Sequence, residues 1–291
     1  MSKKKVLATI AEIAAIALFL FWIAPLILVV VNSAKSSPEI IMDPMKLPEN
    51  WGTLFSNIQK VFADRTVNYS SALVSSIIIT VCSLFFIVLF AAMAAWVITR
   101  RKSKLSNYIY YMFIAAMVIP FQVVMYPLVS WFRTISTNFT MPVFGFSMLR
   151  SYPGIVFAYI GFGMSMSVFM FCGFVKGIPY EIEEAAEIDG CSKLQTFNHV
   201  VLPMLKPIIV TVTILNGIWI WNDFLLPLLV LGKGNAIQTI PLAVNNFVGA
   251  YTKQWDMVLT STLMAIFPVL VIFLLAQKQI IQGMVEGSIK S

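Results

Sequence analysis

The side chains able to do chemistry are few in this chain, and most of them sit in one place. Five of its 13 acidic residues, Glu181, Glu183, Glu184, Glu187 and Asp189, crowd into one stretch between Gly177 and Pro207. Long apolar runs flank that stretch. His199 is the only histidine, and Cys82, Cys172 and Cys191 are too scattered for a metal set or a disulfide framework. No G-x-x-x-x-G-K-[ST] phosphate cradle occurs anywhere. A membrane-embedded enzyme would need a nucleophile with its base, or a metal, and the residues for neither are clustered. What remains is recognition of two kinds. One is an acidic helical surface offered to a partner in water. The other is a set of polar side chains within apolar spans, where polarity is costly and marks function by default: Gln122, Asn216, Asn222 and Asp223.

The acidic stretch must be held by helices. Pro179 pre-sets a first helical turn, and the early glutamates complement its positive end. Gly190 supplies the left-handed residue that ends many helices. Ser192 and Gln195 make the Ser-x-x-Gln pattern that starts another, which Pro203 and Pro207 are expected to stop before the chain re-enters the membrane. The spacing predicts two short helices at an angle, joined at Gly190. Ile182, Ala185, Ala186 and Asp189 share one face of the first, and the paired alanines would let a partner surface approach closely. A solvating acidic loop would explain the glutamates but not the alanines, the glycine break or the proline boundary.

Around this element the composition is that of a membrane protein: 59% apolar and only 11% charged residues, against about 25% charged in soluble domains. A span needs about 20 mainly apolar residues, and six stretches supply them: 6–31, 70–99, 107–131, 154–176, 207–231 and 256–277. The first is too long for the apolar core of a signal peptide and is read as an uncleaved span. The fold class expected is therefore all-α, a polytopic membrane protein with six transmembrane helices in a single domain, 1–291, carrying a helix–turn–helix loop at 177–206. Lys/Arg clusters at span ends orient it. Twelve of the 20 basic residues lie at Lys3–Lys5, Arg100–Lys104, Lys176, Lys193, Lys206, Lys278 and Lys290, which would all be cytoplasmic if both termini are inside. The 177–206 loop is then cytoplasmic, and 32–69 and 232–255 are external. The net charge of +7 serves this orientation and implies no nucleic acid.

The loop residues carry a family resemblance. Glu184-Ala185-Ala186, then Gly190, Val200 and Leu202-Pro203, at these spacings, resembles the EAA loop of ABC importer permeases, with valine where isoleucine is usual. Trp221-Asn222-Asp223-Phe224 resembles a segment of the carbohydrate-type permeases. The six-span plan and the tail from Gln282 to Ser291 look like the shorter permease of maltose-type importers. The resemblance implies that Glu184, Ala185, Ala186, Asp189, Gly190, Leu202 and Pro203 form a coupling element for a cytoplasmic ATPase. It implies as partners a second permease subunit, two ATPase subunits that bind ATP-Mg in place of this chain, and an extracytoplasmic solute-binding protein. The setting implied is the lipid of a bacterial or archaeal cell (inner) membrane. Amino-acid or phosphate import stays open as an alternative. A self-sufficient secondary transporter would call for several buried charges or an inverted repeat, and neither is evident.

Within the spans, a rise of about 1.5 Å per residue from Pro207 puts Asn216 near the middle of span five and Asp223 about two-thirds across. Gln122 lies between Pro120 and Pro127, which should loosen span three. Asp223 could line the path, cap a disrupted helix before Pro227, or face external water. The small residues of span four (Gly161, Gly163, Ser165, Ser167, Gly173) suit close helix packing.

Overall fold

The computed structural model describes residues 3–65, 67–248 and 254–288. Every regular element among them is helical. Residues 249–253 of the expected external loop and 289–291 of the tail, with Lys253 and Lys290, lie outside the described residues. Four helices are long and apolar enough to cross a membrane: Leu7–Ser33, Tyr69–Arg100, Tyr152–Val175 and Trp255–Leu274. Two bent helix pairs raise the number to six if each pair counts as one span.

Breaks within the helices correct the expected third and fifth spans, while the second bend, of 75°, lies where Lys193–Met204 meets Lys206–Asn222. Lys104–Val118 and Phe121–Phe144 meet at 107°. The residue before a proline is pushed out of the helical region, and Ile119, ahead of Pro120, is extended at φ −75°, ψ 116°. The helix Lys206–Asn222 likewise ends at Asp223, extended at φ −73°, ψ 130°, and a short helix Leu225–Val230 follows. Neither 107–131 nor 207–231 is one continuous helix. At 15 and 17 residues, Lys104–Val118 and Lys206–Asn222 are each shorter than the roughly 20 residues a bilayer core requires.

The described chain falls into two compact units, 1–70 with 243–268, and 71–242 with 269–291. In the first unit, the segment expected as external loop 32–69 is not irregular. It contains the helices Ser37–Met42 and Thr53–Ala63. Buried side chains satisfy the carbonyls left unpaired where the first helix ends. Asn57 donates to the Ser33 and Lys35 carbonyls, each at 3.0 Å, and Thr260 donates to Ser33 at 3.1 Å. Lys35 is only 3% exposed, because its ammonium donates to Asn32 Oδ1 and to the Asp43 carbonyl, both at 2.9 Å.

The second unit is built around Tyr152–Val175. Ala91, Ala92 and Ala95 of the helix Tyr69–Arg100 are wholly buried in one apolar cluster with Val168, Phe171 and Val175. Small side chains of this kind let membrane helices pack closely without a hydrophobic drive between them. Of the small residues expected to pack, Gly163 does so: a Cβ there would lie 2.6 Å from Ile87 Cδ1. Gly161 and Gly173 meet nothing within 4 Å, so close packing accounts for neither.

Candidate functional site: an anchored acidic helix and an aromatic cavity

The acidic stretch folds as Tyr180–Ile188, nine residues. Its end is a Schellman motif: Cys191 N–H donates to Ala186 O at 3.0 Å and Gly190 N–H to Glu187 O at 3.1 Å, with Gly190 left-handed at φ +89°. Ser192 and Gln195 then form both halves of a capping box. The second helical segment is less regular than expected. Lys193–Thr196 widens into a π-helical stretch, Phe197–Val201, before Leu202–Met204. A proline ring inside an α-helix clashes with the carbonyl four residues back. The π register, in which Leu202 N–H reaches Phe197 O, accommodates Pro203 without stopping the helix. The same device, Ser136–Thr140, precedes Pro142. Pro203 therefore does not end the segment, and the break comes at Leu205 instead, where the flanking helices meet at 75°.

The inward face of Tyr180–Ile188 differs from expectation. Ala186 is buried at 9% exposure, against the chain's own body, so the expected pair of outward alanines reduces to Ala185. Beside it Glu183, only 1% exposed, is the anchor. Its Oε1 accepts from Arg100 Nε at 2.8 Å and its Oε2 from Trp96 Nε1 at 2.9 Å. Arg100 also donates to the Ile178 carbonyl at 2.8 Å and stacks over the Tyr180 ring at 5.6 Å. Trp96 in turn packs on Phe197, with ring centroids 5.4 Å apart. The end of the helix Tyr69–Arg100 therefore grips both helical segments of the loop. Charge counting treats Arg100 as an orientation marker and Glu183 as a dipole partner. Only the i, i+3 spacing of Glu183 and Ala186 hints that they share an inner face, and nothing local points to Arg100.

The outward face carries Glu184, Ala185 and Asp189, all exposed. Ile188 is 85% exposed and Leu194 of the next segment 61%, and Tyr180 and Ile182 are exposed as well. Lys193 pairs with Glu187, and this hydrogen bond holds its ammonium above the usual lysine range. His199 Nδ1 lies 3.1 Å from the Gln195 carbonyl, a local helical contact in which the ring N–H donates and the carbonyl accepts. Pro203 is exposed and Leu202 partly so.

The intramembrane polar residues separate. Asn216 is buried and lines a cavity of about 840 Å³ with Ser165 and the aromatic side chains of Trp131, Phe157, Phe162 and Trp219. Its amide donates to Ser167 Oγ at 3.1 Å and to the Val212 carbonyl at 2.9 Å. Gln122 is exposed and not among the lining residues, although Phe121 and Val124 are. Asn222 is exposed and bonds back to the Ile218 carbonyl at 2.8 Å. Asp223 takes the capping role left open above. Its Oδ1 accepts from Leu225 N–H at 3.0 Å and its Oδ2 from Tyr159 at 3.2 Å, so it joins the two halves of the broken helix. The four expected path residues do not form one site.

Residues 87–289 match the family described as the binding-protein-dependent transport system inner membrane component. The chain belongs to that family. This permease is 39% identical, over 94% of both chains, to a protein of Thermoanaerobacterium thermosulfurigenes named as a probable starch degradation products transport system permease, AmyC. It is 33% identical, over 91% of both, to the multiple sugar-binding transport system permease MsmG of Streptococcus mutans. Its fold matches, at a TM-score of 0.80 and 18% identity over 96% of this chain and 98% of the other, a chain of a bacterial ABC transporter involved in the import of the polysaccharide alginate. The permease is thus a multi-pass inner membrane component of a transport system that works with a binding protein, and its family role is transport, not catalysis.

Proposed function

We propose that this permease forms half of the translocation pathway of an ATP-driven importer for a sugar or oligosaccharide. The carrying observation is the acidic helix: its outward face exposes Ile188 beside Glu184 and Asp189, while its inward face is fastened through Glu183 to the end of a span. Tyr180, Ile182, Ile188 and Leu194 are all exposed on this charged element, and exposed apolar side chains gathered among polar ones favour a partner surface. That surface is a cleft on a cytoplasmic ATPase. Two ATPase subunits bind ATP-Mg, and their closure draws two such helices together, this one and that of a second, paired permease. The spans then rock between inward- and outward-facing states, as alternating access generally requires. Both termini and the 177–206 loop face the cytoplasm in this scheme.

The carbohydrate assignment draws on relatives named for starch degradation products, multiple sugars, and melibiose, raffinose and stachyose. The cavity supports it: aromatic faces with a few placed polar groups are how most small-molecule sites are built, and they suit a pyranose, which is apolar across its C–H faces and polar at its rim. Reconstitution with partner permease, ATPase and a panel of binding proteins tests the whole. A binding protein loaded with its sugar should stimulate ATP hydrolysis and uptake. Uptake without ATPase would overturn the importer reading, and stimulation by an amino-acid binding protein alone would overturn the carbohydrate assignment. A cysteine at Lys233 should react with an impermeant maleimide in intact cells, and one at Lys104 should not. The reverse pattern would invert the orientation.

A further inference from the structure

A second cavity, of about 500 Å³, opens where three helices end, and its lining includes Lys102, Lys104, Lys176, Ser103, Asn107 and Tyr110. The three lysines come from separate places: the turn after Arg100, the first turn of Lys104–Val118, and the residue that closes Tyr152–Val175. No carboxylate lines the cavity, and none of these lysines makes an ion pair among the described residues. The neighbouring Arg100 is already spent on Glu183. All three lysines are solvent-exposed, so water screens much of their repulsion, and an anion seated among them would relieve what remains.

We propose that this cavity binds the phosphate of an anionic phospholipid headgroup, such as phosphatidylglycerol. Lys102 and Lys104 supply charge from the turn, and Lys176 supplies it from the facing helix. The Ser103 hydroxyl and the Asn107 amide stand beside them as neutral donors. Lys104 also opens a 15-residue helix, whose positive end adds to the field. The Tyr110 ring, with Lys176 Nζ 5.3 Å from its centroid and Phe169 stacked at 6.5 Å, forms an apolar wall where the headgroup gives way to acyl chains. Basic pockets between membrane helices at the cytoplasmic surface suit such headgroups. The placement at that surface rests on the orientation proposed above. Because Arg100 holds the acidic helix and Lys102 lies two residues on, a bound headgroup would brace the turn that carries the coupling element.

The test uses the complete transporter complex in detergent, with native mass spectrometry to count retained lipid after titration with phosphatidylglycerol or phosphatidylcholine. Orientation does not enter that measurement, and maleimide labelling of a Lys233→Cys variant in cells checks it separately. One phosphatidylglycerol should be retained per permease in preference to phosphatidylcholine, and millimolar inorganic phosphate should not displace it. Each of Lys102→Gln, Lys104→Gln and Lys176→Gln should weaken retention about five-fold, and the triple variant on the order of a hundred-fold. A control with the same charge loss, Lys46→Gln/Lys60→Gln/Lys233→Gln, should retain lipid normally. If the triple variant does not assemble, the three single variants decide. Equal retention of both lipids, equal loss in the control, or unchanged binding in the lysine variants would overturn the site. Full displacement by inorganic phosphate would make it a free-phosphate site instead.

Discussion

Replacing Arg100 with methionine should detach the acidic helix while leaving the spans intact. At nine residues the helix Tyr180–Ile188 is too short to be stable in water alone, so its order depends on what holds its inner face. Arg100 contributes two contacts to Glu183, at 2.7 and 2.8 Å, and one to the Ile178 carbonyl. The Glu183 side chain is 2% exposed and that of Arg100 18%, so solvent screens the pair little. Removing one member of a buried ion pair costs about 3–5 kcal/mol, because a charge is left without its partner. Hydrogen exchange of the 180–190 amides in the purified complex should therefore accelerate by at least two orders of magnitude, with exchange in Tyr152–Val175 unchanged. The double variant Arg100→Met/Glu183→Leu leaves no buried charge. It should recover about 2 kcal/mol of the protection, because the orphaned Trp96 indole N–H still costs about 1–3 kcal/mol. Exchange in Arg100→Met within two-fold of the wild type would refute the anchoring argument, as would a double variant as loose as the single one.

Three further substitutions probe other parts of the molecule. Gly190→Val should impair ATPase association and uptake through backbone strain alone, about 1–2 kcal/mol. No atom lies within 4 Å of a Cβ at that position, so Gly190→Asn, which tolerates the left-handed region, should be milder; equal damage from both would point to bulk instead. Gly154→Ala should fail to yield folded protein, since its Cβ would lie 1.6 Å from the Met148 carbonyl oxygen, whereas Gly173→Ala, with open space, should match the wild-type yield and detergent melting temperature. Asn216→Leu should lower uptake roughly ten-fold, the equivalent of one lost substrate hydrogen bond of about 1.4 kcal/mol, with ATPase assembly unchanged; parallel loss of both would make Asn216 a packing residue.

The class of this protein was legible from local information. Long apolar runs need no tertiary partner to declare a membrane span, and the helices Lys3–Ser33, Tyr69–Arg100 and Tyr152–Val175 lie within a few residues of their expected limits. Gly190 and the Ser192–Gln195 box were equally readable, because helix ends are set by backbone conformation and by side chains three residues apart. Their observed geometry follows those rules. Pro120 loosens the helix by its residue type alone, yet the 107° bend at Ile119 depends on how the flanking helices pack. What local information could not supply was pairing across long stretches of chain. Glu183 meets a residue 83 positions away, and Tyr159 meets Asp223 across 64. The inner face of a short helix is chosen by whatever buries it, which is why Ala186 turned inward and Glu183 became its anchor. The polar span residues separated for the same reason: composition marks each as costly in lipid, but only packing decides that Asn216 lines a cavity, Asp223 caps a break and Gln122 lies outside that cavity's wall.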